Sequence, residues 1–226
     1  MSEQPTNGTE TPGAVVDLLG LLAYAELVAF FRLSEDASLA PTLADKAELA
    51  QLATVEFGHY TRIRDRLVEL GAEPGAAMEP FTAAVDAFHA QTAPNDWLES
   101  LVKAYVGDGI AADFYRQVAE LVDPGTRELV HEVLSNAGHS EFVVARVRAA
   151  TENDPKIAGR LALWARRLVG EALGQAQRVA AERAELAGLL VGRVEGAGGD
   201  LAEIGRMFAR LTESHTARMN ALGLST

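Results

Sequence analysis

The sequence predicts an all-α fold: a four-helix bundle of two repeated helix pairs with a long crossover between them, plus C-terminal helices. Three observations carry that expectation. Alanine, leucine, glutamate and arginine dominate the long segments, which lack runs of β-branched residues and so favour helix. No segment alternates apolar and polar residues for long, as a half-buried strand would. The chain also repeats itself. Glu26 is followed by Pro41 and then by Glu56-Phe57-Gly58-His59, while Asp108 is followed by Pro124 and then by Asn136-Ala137-Gly138-His139. Thirty residues separate Glu26 from Glu56, and twenty-eight separate Asp108 from Asn136. Phe30 and Phe31 in one half correspond approximately to Phe114 and Tyr115 in the other. A helix pair therefore occurs twice.

The elements follow from apolar periodicity and from breakers. A first helix is expected from Ala14 to Asp36 and a second from Thr42 to Leu70, with Pro41 at its first position. Gly71 and Pro74 break the second. A shorter amphipathic helix, Pro80 to Ala90, lies inside the crossover, and Pro94 closes it. The third long helix spans Asp96 to Leu121. Asp123, Pro124 and Gly125 punctuate, and a fourth runs from Thr126 to Ala150. Asn153-Asp154-Pro155 opens a fifth, reaching about Val191. Gly196 to Gly199 forms a flexible joint before a last helix, Leu201 to Leu222. The expected organisation is a disordered tail over residues 1–13, the bundle over 14–153, and C-terminal helices packed on it over 154–226.

Composition removes several function classes. The chain of 226 residues has no cysteine, which excludes disulfides, thiolate metal sites, iron–sulfur clusters and cysteine nucleophiles. A reducing cytoplasm is compatible with this and is the expected location. No signal peptide is evident at the N-terminus. The net charge of -12 argues against a broad polyanion-binding surface. The segment from Ala14 to Phe31 is apolar enough to resemble a membrane span, but Asp17 and Glu26 fall within it. An acid at mid-span is costly in lipid, so a buried bundle helix is the better account and no membrane is expected.

The chemistry-bearing residues sit in the repeat. Glu-x-x-His on a helix places a carboxylate and an imidazole on one face, one turn apart. Two helix pairs, each with an acid on one helix and a polar-x-x-His on the next, form the layout of carboxylate–metal bundles. Carboxylate oxygens and imidazole nitrogens suit iron or manganese. A buried polar network without metal is the competing account of the same residues.

The residues Tyr24-Ala25-Glu26, Glu56-Phe57-Gly58-His59, Tyr105-Val106-Gly107-Asp108-Gly109 and Asn136-Ala137-Gly138-His139 carry a resemblance to a known family. Over roughly residues 14–150 the chain resembles the MiaE-like branch of the ferritin-like superfamily, di-iron hydroxylases that modify an isopentenylated adenosine in tRNA. The resemblance implies a ferritin-like bundle and a metal centre. Glu26 would be a terminal ligand, Glu56 a bridge, and His59 would complete the first side. Asp108 and His139 would serve the second side. Asp108 stands where the family has Glu, and Asn136 stands where it has a second bridging Glu. Two close cations need negative ligands to offset their repulsion, so the second position should bind less tightly. The centre is then di-iron with an unusual ligand, mononuclear, or empty as isolated. Glu132 and Asp113 are the alternative donors.

Other residues read more simply. Tyr24, Tyr60, Tyr105 and Tyr115 fall near the ligand positions, and core packing is their expected role over hydrogen bonding to a ligand. His89, His131 and His215 are expected at the surface, and Trp97 and Trp164 in packing. Gly107 and Gly109 flank Asp108 and would loosen that helix or admit a close neighbour. Lys156, Arg160, Arg166, Arg167, Arg178 and Arg183 make the fifth helix basic, and Arg62, Arg64 and Arg66 cluster on the second. Salt-bridge networks or a solvated face account for them better than RNA phosphates do.

Three functions remain. The resemblance implies an oxidoreductase in which iron activates dioxygen to hydroxylate a C–H bond, with an external electron donor, since no flavin or iron–sulfur motif is present. A modified tRNA base is the substrate that the resemblance suggests. The acidity of the chain weighs against it, and a small or lipid-like molecule is equally open. The second function is a ferritin-like scaffold whose metal site has lapsed at Asn136, with the C-terminal helices serving a partner or a homodimer. The third is iron storage, which needs a self-assembling shell that the C-terminal helices would obstruct.

Overall fold

The computed structural model describes residues 12–135, 138–152, 154–184, 186 and 200–225. Every element among them is helical. Helix α1 is Pro12–Asp36 and α2 is Leu43–Glu69; the two pack along each other as the first antiparallel pair. The crossover holds α3, Pro74–Met78, and α4, Thr82–Gln91, joined by a 3₁₀ turn, Glu79–Phe81. The second pair is segmented. It begins with α5, Trp97–Val102, continues through a π-helical turn, Lys103–Gly107, and becomes α6, Asp108–Ala119. Then come α7, Pro124–Val133, and α8, Gly138–Thr151. Helix α9, Pro155–Glu182, packs on α4 and the π turn, and α10, Asp200–Leu222, packs on α6 and α8.

Local chemistry sets the boundaries. The Thr42 side chain accepts from the Asp45 amide at 3.1 Å and so caps α2, placing Pro41 before the cap rather than at the first helical position. Asp96, Asp123 and Asp154 cap α5, α7 and α9 in the same way. Pro74, Pro124 and Pro155 each sit in a first turn, where a missing N–H costs nothing. Pro74 therefore starts a helix as well as ending the previous connection. Gly71 takes φ +77° after α2, and the amides of Gly71 and Ala72 close back on the carbonyls of Val68 and Leu67. This is a glycine-terminated helix end, and Gly223 ends α10 identically.

Several expectations are corrected. The first helix starts two residues early, at Pro12, and residues 1–11 of the expected tail lie outside the described residues. The fourth long helix is interrupted: α7 ends at Val133, Leu134 and Ser135 form a turn, and a separate helix resumes at Gly138. The cause at the break is partly visible, because an Arg116 guanidinium nitrogen donates to the Leu134 carbonyl and satisfies a helix-end acceptor. The fifth helix stops at Glu182, short of Val191, where Arg183 leaves helical backbone and pairs with the buried Asp17 on α1. The glycine joint at 196–199 lies outside the described residues.

Helix α1 is long and apolar enough to cross a membrane, and most of that stretch is buried inside the fold. Its Gly20 is required by contact: a Cβ there would run into the Ala77 carbonyl of α3.

The apolar interior divides into two layers. One contains Leu18, Leu19 and Leu22 of α1, Ile63 and Leu67 of α2, Phe81, Val118, and Val130 and Val133 of α7. The other contains Leu33, Leu49, Leu52, Leu101, Val106, Val143, Val147, Leu161, Leu168 and Met219. On α1 the gap between layers holds Glu26, and on α2 it holds Glu56 and His59. On the third long helix the change of layer falls between Ile110 and Tyr115, just beyond Asp108, and between α7 and α8 it coincides with the helix break. A polar stratum thus crosses the bundle between two hydrophobic ones.

Candidate metal centre

Glu26, Glu56 and His59 converge in that stratum. One ligand atom from each lies within 4.8 Å of the others. His59 Nδ1 is 3.3 Å from Glu26 Oε2 and 3.2 Å from Glu56 Oε2. The spacing of three residues on α2 stacks Glu56 over His59, as the sequence requires. The pairing of α1 with α2 brings Glu26 to the same point.

Their electrostatics are those of negative charge held away from water. Burial pushes the Glu26 carboxyl well above the usual range, and the neighbouring Glu56 adds to it. Burial disfavours a charged His59, but the hydrogen bonds and charges of Glu26 and Glu56 outweigh it and push the imidazole up to about 9. Without a cation, these groups hold protons against their ordinary tendency. A divalent cation would reverse that preference, taking the place of protons between two carboxylates and an imidazole. The donor set and its convergence therefore fit a single hard or borderline cation such as iron or manganese.

The second side is different. Asp108 stands at the start of α6, directly after the π turn, and lines the same cavity. Although the residue keeps accessible surface, desolvation of its carboxyl pushes it up to about 8, with the charge of Glu56 adding and Lys103 opposing. Among the described residues it is not one of the three converging donors. Asn136 and the His139 side chain lie outside the described residues, although His139 itself falls in the first turn of α8. Neither alternative donor replaces them. Glu132 is exposed and bound to Arg62. Asp113 is held between Arg116, at 3.1 Å, and Arg218.

The cavity has a volume of about 340 Å³. Its walls mix Glu26, Glu56, His59 and Asp108 with Ala29, Leu33, Leu52, Val133 and Val143. Tyr105 and Tyr115 also line it. Burial pushes the Tyr115 phenol above its ordinary range, and the charges of Glu26 and Asp108 add to that. Tyr24 points elsewhere and donates to Asp86 at 2.8 Å, while Tyr60 packs against the apolar layer of Leu18 and Ile63.

Other sequence expectations fare unevenly. Trp164 packs in the core and donates to the Glu99 carbonyl at 2.9 Å, and Trp97 meets Phe142 edge-on. His131 is exposed and bonds to Glu120, but His89 and His215 are half-buried, contrary to expectation. The α2 cluster is paired, Arg62 with Glu132, Arg64 with Asp65 and Arg66 with Glu69, and on the fifth helix Arg160 pairs with Asp96 and Arg183 with Asp17. Sequence reasoning missed Arg116 and Arg218, which contribute to the cavity wall. The one available signal was Gly109: a Cβ there would run into the Arg218 side chain, so the glycine exists to admit it.

Comparison with known proteins follows this geometry. A family model described as "Ferritin-like domain, actinomycetes" matches residues 10–193. Among solved structures, the chain resembles a Synechococcus protein described as having aldehyde deformylating oxidase activity. The two are 18% identical with a TM-score of 0.69, over 94% of this chain and 90% of that one. At that identity the likeness concerns the fold. No curated protein matches by sequence.

Proposed function

The chain belongs to the family of ferritin-like domains of actinomycetes, and from that premise we propose that it is a metal-dependent oxidoreductase acting with dioxygen on a small, partly apolar molecule. The observation that carries this reading is the convergence of Glu26, Glu56 and His59 on one point beside a partly open cavity.

In this reading Glu26, Glu56 and His59 hold iron, and Asp108 with the residues near His139 completes a weaker second position. Bound iron supplies the capacity to reduce dioxygen and attack a C–H bond. The chain does the rest. The alanine, leucine and valine side chains of the cavity exclude water from the reacting group. Asp108, whose carboxyl is held near neutrality, can keep or release a proton beside the substrate at working pH. Tyr115 stays protonated and can donate a hydrogen bond into the cavity. An external reductant provides the electrons.

Two features support a small substrate over a tRNA base, the finer reading that the MiaE-like resemblance suggests. The arginines clustered on α2, and Arg160 and Arg183 of the fifth helix, are engaged by carboxylates. The cavity is at the lower end of the range of small-molecule sites, about 300–1,000 Å³.

The test loads the protein with ferrous iron without air and then admits oxygen together with a chemical reductant. An optical change and oxygen consumption above that of His59→Ala support the proposal. Identical traces from both proteins reject it and leave the scaffold reading.

A further inference from the structure

Three charged side chains on the cavity side of α6 and α10 are unevenly matched. Arg116 and Arg218 share one carboxylate, that of Asp113. The Arg116 fork spends its second nitrogen on the Leu134 carbonyl. Arg218 binds Asp113 through Nη2, and its Nη1 is closed to solvent with no acceptor among the described residues. Both arginines belong to the wall of the cavity that Glu26, Glu56, His59 and Asp108 also line.

A guanidinium nitrogen without an acceptor is uncommon in a folded interior, because each such donor forfeits its bonds to water. The cluster carries one positive charge more than it neutralises. Gly109 is the residue that lets it sit there, since any side chain at that position would displace Arg218. Holding a partly unsatisfied cation against a cavity is explained by a ligand that brings the missing acceptor.

Resting on the oxidoreductase reading for what happens at the other end of the cavity, we propose that Arg218, steadied by Asp113 and Arg116, recognises the carboxylate of a substrate whose apolar chain extends past Leu33, Leu52 and Val143. The charge fits one carboxylate, since the cluster has a net charge of plus one. Arg pairs with carboxylates through matched planar geometry, so one further oxygen completes the fork. Because Nη1 is walled in, the carboxylate enters with a small swing of the guanidinium on its flexible stem. Arg218 is a binding residue here, and its role is to set which carbon of the chain faces the metal donors.

The experiment is calorimetric titration of the full chain, metal-free and iron-loaded, with hexanoate, hexanol and inorganic phosphate. The expected result is saturable hexanoate binding at least tenfold tighter than hexanol, with phosphate weaker than hexanoate. Arg218→Gln should lower hexanoate affinity about tenfold and leave hexanol unchanged. Gly109→Ala alters no charge but displaces the guanidinium, so it should weaken hexanoate similarly; it serves if Arg218→Gln does not fold. Equal binding of hexanoate and hexanol, phosphate outcompeting hexanoate, or hexanoate affinity unaffected by both substitutions would overturn the proposal. Metal content of both variants is measured in parallel. Iron binding retained without hexanoate selectivity defeats only this inference. Hexanoate selectivity without iron binding defeats only the oxidoreductase reading.

Discussion

The two halves of the bundle begin from one sequence pattern and end as different objects. In the first half, α1 and α2 run unbroken past Glu26, Glu56 and His59, and these side chains meet. In the second, both helices are irregular where ligands are expected. A π turn immediately precedes Asp108, and a turn at Leu134 and Ser135 separates α7 from α8 just before the Asn136–His139 motif. π turns inside helices recur at functional sites because they re-aim the residues that follow. The contrast teaches that the repeat fixes which residues lie in the polar stratum, while helix continuity fixes which of them are preorganised. The first half is a built donor set. In the second, among the described residues, only Asp108 of the expected ligands lines the cavity, and it does not join the converging donors.

The sharpest way to break that contrast is to delete donors from each half. Glu56→Ala or His59→Ala should weaken iron binding by more than about 100-fold, whereas Asp108→Asn should change the tighter site by less than about tenfold. Competition with a chelating dye measures both. Equal losses would mean that the halves contribute alike.

Rigidity of the first half rests partly on α1 seated against the α3 backbone at Gly20. Gly20→Ala should cost about 2 kcal/mol by overpacking, lowering Tm by roughly 5 °C in a thermal melt. An unchanged Tm would show that α3 yields easily and that the first half is not preorganised by it.

A smaller effect should appear with pH. In the metal-free protein His59 and Asp108 titrate higher in the folded than in the unfolded chain, to about 9 and about 8. Groups with raised folded values stabilise the native state below their unfolded values. That contribution is lost as pH rises through the folded ones. Metal-free protein should therefore lose stability as pH rises from about 4 to about 9, read as a falling melting temperature. Iron affinity should rise over the same window, since fewer protons must be displaced. A melting temperature that climbs with pH without metal would contradict the assignment.

The smallest effect concerns Asp108 alone. Asp108→Asn should flatten the Asp108 part of that pH dependence and leave the His59 part, read from melts at pH 6 and pH 9.

How much was legible beforehand differs by level. The helical class and both α1 and α2 were readable because Leu18, Leu22, Ile63 and Leu67 repeat at helical spacing and Gly71 can end a helix where other residues strain. Glu26, Glu56 and His59 were readable because Glu-x-x-His is a local pattern and Glu26 is an acid in an otherwise apolar helix. The break after α7 was not readable. Around the break only Ser135, Asn136 and Gly138 weaken helical propensity, and the carbonyl at Leu134 is satisfied by Arg116 from another helix. The π turn was legible only as the loosening expected at Gly107, since Lys103–Val106 carries no breaker. Arg218 was beyond reach, because its neighbours Gly109 and Asp113 are more than a hundred residues away in sequence.

The most direct measurement is metal content per chain after expression in iron-supplemented medium, with Glu56→Ala and His59→Ala prepared alongside. The account predicts at least one iron per wild-type chain, falling to background in both variants. Wild-type protein with no more metal than the variants would contradict it, leaving a ferritin-like bundle whose polar stratum holds protons rather than iron.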